Sequence, residues 1–172
     1  LSGAEPDFKW QRFAADLVEV AGELRVREWI SLGAIPAAVP HTRPVPILGT
    51  ESGPGQLRGD VKPGPDGLLR VPAACISIVD MAISRAGIPA VGYFAQIPHY
   101  VSGEYPGASA ELLRAVGRHL DVEPPLGDLP EEARMLQKRL NAAAGLDEKT
   151  RHYVERLESM VDESRLPAGD DL

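Results

Sequence analysis

The stretch SLGAIPAAVPHTRPVPILGT, residues 31–50, decides the fold that we predict for this chain. It begins inside an apolar strand, predicted over residues 28–34. Four prolines then follow within eleven residues: Pro36, Pro40, Pro44 and Pro46. Because proline has no N–H group and a fixed φ angle, these residues exclude a helix and stiffen a loop. The loop carries His41, Thr42 and Arg43 at a strand end, where α/β proteins place contacts with ligands or partners.

A shorter version of this pattern follows later in the chain. The apolar segment 88–97 predicts a buried strand, and it continues directly into Pro98, His99 and Tyr100. Since the carboxyl ends of neighbouring parallel strands meet at one edge of a sheet, we expect His41 and His99 to share that edge.

The candidate binding residues belong to these two histidine loops. An imidazole can act as a base or a metal ligand, and the Arg43 guanidinium can hold a carboxylate or a phosphate. Against a metal site, the sequence supplies no third ligand at a suitable spacing. The alternative is that hydrogen-bonded histidines shape the loops and Arg43 forms an ordinary ion pair. The candidates are His41, Thr42, Arg43, His99, Tyr100 and Glu104, and we assign no catalytic residue, metal ligand or cofactor.

The segments around these loops predict an α/β fold. A helix of suitable length before an apolar strand indicates a βαβ unit, and therefore a parallel sheet with a right-handed crossover. The proline-containing segment 45–50 predicts an edge strand. The remaining elements are helices over 7–24 (N-cap Asp7), 72–86 (closed by Gly87) and 107–120, and a short strand over 68–71.

Three single residues in these elements invite a functional interpretation. Cys75 lies in an apolar helical run, so we predict a buried packing residue and not a nucleophile. His119 and His152 lie on helices among charged residues, and we predict that both are solvated.

The C-terminal part predicts an antiparallel helical hairpin. A linker with three prolines covers residues 121–130, and Asp128 is the predicted N-cap of the first helix. Gly145 ends that helix and Asp147 begins the second, so two amphipathic helices are joined by a short loop. The predicted domains are an α/β domain over 1–121 and a peripheral hairpin over 126–165.

Composition excludes several classes of protein. The 172 residues carry a net charge of −7, whereas nucleic-acid binding favours basic stripes. No run approaches the roughly 20 apolar residues of a membrane helix, so we expect no membrane partner. A single cysteine suits a reducing compartment, and we expect the cytoplasm. The sequence contains neither the phosphate-binding motif G-x-x-x-x-G-K-[ST] nor a G-x-G-x-x-G after a strand, so no motif points to nucleotide chemistry.

Four segments together are specific enough to indicate a family. They are LSGAEPDFKW over 1–10, VPHTRP over 39–44, Pro-His-Tyr over 98–100, and the proline-bounded hairpin that follows residues 126–129. VPHTRP is the most distinctive of them. On these segments the chain resembles the PAC2 family, the proteasome assembly chaperone 2-like proteins, in the form found in actinobacteria.

The resemblance implies a fold and an assembly. The implied fold is three-layer α/β/α with a mostly parallel sheet, like that of nucleoside phosphorylases, followed by the C-terminal helical hairpin. The resemblance also implies a homo-oligomer, often a trimer, and no established catalytic residues. Family members carry an N-terminal segment of several strands, which we expect to lie upstream of this chain.

The leading hypothesis is therefore a PAC2-type binding or scaffold protein with an assembly-chaperone-like role, whose partners are copies of itself and another protein. The rival hypothesis is a hydrolase or phosphorylase-like enzyme that uses the crevice at the strand C-termini with His41, Arg43 and His99. Such an enzyme needs a nucleophile or base supported by a second residue, and the sequence shows no such arrangement plainly. A ligand-sensing domain is the third hypothesis.

Overall fold

The computed structural model describes residues 3–59, 61 and 74–165, and these form five helices and three strands. The α/β class predicted from the sequence is confirmed. The predicted strand over 68–71 lies outside the described residues. The elements are α1 (Trp10–Glu23), β1 (Trp29–Ala37), β2 (Ile47–Glu51), α2 (Cys75–Arg85), β3 (Ala90–Pro98), α3 (Pro106–Leu120), α4 (Leu129–Leu146) and α5 (Glu148–Arg165).

The strands form a sheet in the order β1-β3-β2. β1 and β3 run parallel, and at their carboxyl ends the His99 amide donates to the Ala37 carbonyl. β2 runs antiparallel to β3, since the Gln96 amide near the end of β3 bonds to the Pro46 carbonyl just before β2. An antiparallel edge strand beside a parallel pair is common in α/β sheets. Among the described strands β2 thus lies at an edge, as its prolines predict.

β1 is longer than the sequence predicts. It continues through Pro36 to Ala37, whereas we expected the strand to end at Ala34. In the described sheet β1 is an edge strand, and an edge strand has N–H groups that no neighbour needs. The missing N–H of Pro36 therefore does not interrupt the strand.

The chain divides into two compact units, Leu1–Gly33 with Leu48–Tyr93, and Ala34–Ile47 with Phe94–Leu172. The helical hairpin, α4 with α5, belongs to the second unit together with α3. The domain boundary near residue 121 that the sequence suggests stays a prediction.

The core of the first unit lies between α1 and α2. α1 contributes Ala14 and Ala21, and small side chains let two helices approach closely. α2 contributes Val79, Ile83 and Cys75, which is 4% exposed, so the predicted packing role of the cysteine is confirmed. Burial also raises the pKa of the Cys75 thiol, which disfavours a reactive thiolate.

The start of α1 differs from the prediction. The helix begins at Trp10, and its N-cap is Lys9 in the left-handed region with φ 60°, so Asp7 is not the cap. The Trp10 indole N–H donates to the Pro6 carbonyl, which turns the preceding chain back onto the helix.

In the second unit, α3 buries a stripe of small residues together with one histidine. The stripe includes Ala108, Ala115 and His119, spaced seven and four residues apart, while Leu120 is 49% exposed. The prediction that His119 is solvated is therefore wrong, because the histidine is fully buried. Its charged sequence neighbours lie on another face of the helix. His152, in contrast, is exposed as predicted.

The two hairpin helices begin where the sequence indicates. Asp147 caps α5, since its Oδ2 accepts the backbone N–H of Thr150 at 2.8 Å. Asp128 precedes α4 but makes no side-chain capping bond, and its backbone carbonyl accepts the first helical N–H groups instead. No helix in the described ranges is long and apolar enough to cross a membrane.

Gly117 of α3 generates a stability prediction. A Cβ atom at this position lies 2.7 Å from the Val122 carbonyl oxygen and 2.6 Å from Pro124 Cδ, too close for a real contact. Gly117→Ala should therefore lower the free energy of unfolding by about 1–3 kcal/mol, the usual cost of overpacking. Urea denaturation followed by circular dichroism measures this change.

Gly145→Ala is the matched control, because a Cβ on this α4 glycine has no atom within 4 Å. Replacing a helical glycine by alanine in open space should raise the free energy of unfolding by up to about 0.5–1 kcal/mol. Equal effects of the two substitutions would contradict the close contact of α3 with its linker.

Candidate functional site

His41 is the centre of the candidate site. It lies in the loop after β1 and is only 4% exposed. The Tyr100 hydroxyl, just beyond β3, accepts the backbone N–H of His41 at 3.0 Å and lies 2.8 Å from its Nδ1. On the opposite side of the ring, Nε2 lies 3.0 Å from Oδ1 of Asn141 in α4. All the polar atoms of the imidazole therefore have partners.

These contacts assign a tautomer to His41. An amide Oδ1 only accepts, so Nε2 carries the hydrogen and donates it to Asn141. The Tyr100 hydroxyl already accepts the His41 amide, and its own hydrogen is free to point at Nδ1. His41 is thus a neutral imidazole that accepts at Nδ1 and donates at Nε2.

Burial favours this neutral form. Desolvation lowers the pKa of His41, partly opposed by the hydrogen bond to Asn141 and by the charge of Glu158. Desolvation also raises the pKa of Tyr100, so its hydroxyl keeps the hydrogen that it donates. Both groups are therefore uncharged around neutral pH.

His99 and the tyrosines extend this contact into a cluster of four rings. The His99 ring lies edge-on to Tyr100 and to Tyr153 of α5, with centroids 5.5 Å and 5.8 Å apart. His41 is edge-on to Tyr100 at 5.9 Å. Such edge-to-face pairs are the preferred geometry of aromatic rings. The two histidines share Tyr100, so the prediction that their loops meet at one edge is confirmed.

His99 differs from His41 in its exposure. The side chain is exposed, but both ring nitrogens have partners: Nδ1 lies 3.1 Å from the Ala37 carbonyl and Nε2 lies 3.2 Å from the Tyr153 hydroxyl. A carbonyl only accepts, so Nδ1 carries the hydrogen and Nε2 accepts from Tyr153.

Thr42 and Arg43 attach the same loop to α5. Thr42 donates its hydroxyl hydrogen to Glu158. Arg43 holds Asp162 with two parallel bonds, Nε to Oδ1 at 3.0 Å and Nη2 to Oδ2 at 2.7 Å, and Glu158 with Nη1 at 3.1 Å. The guanidinium fork that the sequence suggests for a carboxylate or phosphate ligand is thus filled by carboxylates of the same chain.

The structure brings together five of the six candidates, but not Glu104. Contacts with one another or with α5 connect these five: His41, Thr42, Arg43, His99 and Tyr100. Glu104 is exposed, and no hydrogen bond or ion pair with another described residue involves it.

The partners on the hairpin were missed by the sequence analysis. They lie far along the chain from His41, and Asn141 is separated from it by 100 residues. The polar ones, Gln137, Asn141, Glu158 and Asp162, occupy polar positions on amphipathic helices, where solvation is the default expectation. The missed residues are Gln137, Asn141, Tyr153, Glu158 and Asp162.

The arrangement is better suited to holding the loop than to chemistry. A base needs a ring nitrogen within reach of a substrate proton, and both nitrogens of His41 and of His99 are occupied by partners in the chain. Among the described residues, no group of three or more histidine, cysteine, aspartate or glutamate side chains is placed to hold a metal ion.

Comparison with known proteins gives one family. The model described as the PAC2 family matches residues 1–144. No curated protein matches the chain.

Solved structures with the same fold include several bacterial proteins. A PAC2 family protein from Streptomyces avermitilis is 38% identical with a TM-score of 0.78, and covers 88% of this chain and 63% of its own. A Mycobacterium tuberculosis protein described as a proteasome-assembly chaperone homologue is 36% identical, with a TM-score of 0.78 and coverages of 88% and 64%. A protein of unknown function from Corynebacterium glutamicum is 28% identical, with a TM-score of 0.86 and coverages of 95% and 60%. The chain thus spans less than two thirds of the length of these structures.

Tyr100→Phe tests the role of the hydroxyl in this cluster. The substitution keeps the ring but leaves the backbone N–H and Nδ1 of His41 without their partner. An unsatisfied buried polar group costs about 1–3 kcal/mol, and we expect the free energy of unfolding to fall by that amount. Urea denaturation of both proteins measures the difference.

Tyr153→Phe is the matched control in the same ring cluster. Among the described residues its hydroxyl bonds only the exposed His99 ring, so the change should stay within about 0.5 kcal/mol. If Tyr100→Phe is as mild as Tyr153→Phe, the hydroxyl does not hold His41.

Proposed function

We propose that this chain, which belongs to the PAC2 family, is part of a cytoplasmic binding or scaffold protein with an assembly-chaperone-like role. The observation that carries the proposal is the bonding of the polar side chains in the two histidine loops. Their ring nitrogens and the Arg43 guanidinium are occupied by partners within the chain.

The contacts support a structural use of the conspicuous sequence motif. His41, Thr42 and Arg43 contact the hairpin through Asn141, Glu158 and Asp162. A hydrolase or phosphorylase would instead need these polar groups turned to a substrate and supported by neighbours. The hairpin that the motif holds is a pair of amphipathic helices, a form that proteins often present to other proteins.

The class of partner is suggested by the relatives. The Mycobacterium tuberculosis structure is described as a proteasome-assembly chaperone homologue. We propose that the full-length protein binds subunits of a proteasome-type assembly.

Self-association is the second part of the proposal. The family resemblance favours a homo-oligomer, often a trimer. Exposed apolar side chains on α1 and at its C-cap support it: Phe13, Val20 and the C-cap Leu24 are 41%, 43% and 72% exposed and lie on one side of the helix. Grouped apolar side chains of this kind are often covered in an assembly, and here we propose a second copy.

Size-exclusion chromatography with light scattering tests both parts on the full-length protein. Tens of micromolar is roughly the concentration range in which an interface of standard size holds. Alone at this concentration, the protein should show a multiple of its monomer mass. Mixed with purified proteasome subunits of its own organism, it should elute with them in a complex of fixed stoichiometry.

Two variants and one unrelated protein serve as controls. Val20→Asp should lower the oligomer mass, whereas Leu146→Asp, at a 90% exposed position of α4, should not. Serum albumin in place of the subunits should give no complex. A monomer that forms no complex with the subunits would contradict the proposal.

A further inference from the structure

A cavity of about 430 Å³ lies within the second unit, between the loop that contains Thr42–Val45, α3 and α4. This volume is within the range of pockets that hold small molecules. The lining includes apolar residues, among them Val45, Ala110 and Leu136, and also charged residues.

The charged groups of the cavity are mostly cationic. Among the described residues that line it are three arginines, Arg43, Arg114 and Arg134, and one carboxylate, Glu111. The three arginines come from the loop, from α3 and from α4 respectively. The whole chain has a net charge of −7, so this concentration of guanidinium groups runs against its general composition.

Several polar hydrogens in the cavity make no hydrogen bond to another described residue. Arg114 bonds Glu111 through Nη1 at 2.5 Å, and its Nε and Nη2 make no hydrogen bond to a described residue. Arg134 bonds Glu131 through Nε and Nη2, and its Nη1 makes no hydrogen bond within the described part of the chain. The Tyr105 hydroxyl likewise bonds no described residue, although the side chain is partly buried.

These uncommitted groups are all donors of hydrogen bonds. Arginine has no acceptor, and burial raises the pKa of Tyr105, so its hydroxyl keeps a hydrogen to donate. A cavity lined by guanidinium and hydroxyl donors and by apolar side chains matches a ligand rich in acceptor oxygens.

We propose that this cavity binds a small molecule with a carboxylate or phosphate group, held by Arg114 and Arg134 and by the Tyr105 hydroxyl. Arg43 adds positive charge but is itself held by Glu158 and Asp162. The inference depends on the cavity alone and not on the proposed binding function.

Isothermal titration calorimetry of the full-length protein with inorganic phosphate and, separately, with succinate tests the site. At least one probe should bind saturably, and the probe that binds identifies the oxyanion. Arg114→Gln should weaken that binding by roughly tenfold or more, and Tyr105→Phe by a smaller factor. Added sodium chloride should weaken it further, because salt screens an ionic contact.

Arg139→Gln is the matched control, since Arg139 is an exposed arginine of α4 that does not line the cavity. It should leave the affinity unchanged, and the melting temperature of each variant should confirm that it is folded. Absence of saturable binding of both probes at millimolar concentration would overturn the proposal. So would equal losses in Arg114→Gln and Arg139→Gln, because binding would then reflect net charge only.

Discussion

The Tyr100 hydroxyl holds the backbone and the ring of His41 at the same time, and the second unit is arranged around this pair. One residue follows β1 and the other follows β3, so the bond fixes the exits of two parallel strands to each other. The opposite side of the His41 ring then bonds Asn141 and so connects the strand ends to α4. A buried imidazole is tolerated here because each of its polar atoms has a partner.

Arg43 and Thr42 continue the same attachment on α5 through charged groups near the surface. The bidentate contact of Arg43 with Asp162 is geometrically specific, although its exposure to solvent and salt limits its strength. A segment whose composition suggests a binding site is therefore occupied by its own chain. The donors that remain uncommitted lie beside it, in the cavity lined by Arg114, Arg134 and Tyr105. The loop that carries His41, Thr42 and Arg43 therefore organises the fold, and the adjoining cavity offers the hydrogen-bond donors that no other described residue uses.

Local patterns predicted most of the fold. Apolar periodicity located the helices, and the matching Pro-His segments correctly placed His41 and His99 at one edge. The errors arose where tertiary context overrides a local rule. Pro36 remains within β1 because an edge strand does not need its N–H, and His119 is buried because helical spacing outweighs its charged neighbours. Asn141 and Glu158 were not foreseen, because a polar residue on an amphipathic helix carries no local sign of a partner more than 90 residues away.

The central claim is that His41 is a neutral, internally bonded residue that holds the loop. Nitrogen-15 NMR of the imidazole tests it most directly, since the two tautomers and the cation have distinct nitrogen shifts. Burial lowers the pKa of His41, so at pH 6.5, where a free imidazole is about half protonated, the ring should remain mostly neutral with hydrogen on Nε2. A cationic ring at that pH, or hydrogen on Nδ1 at neutral pH, would contradict the account.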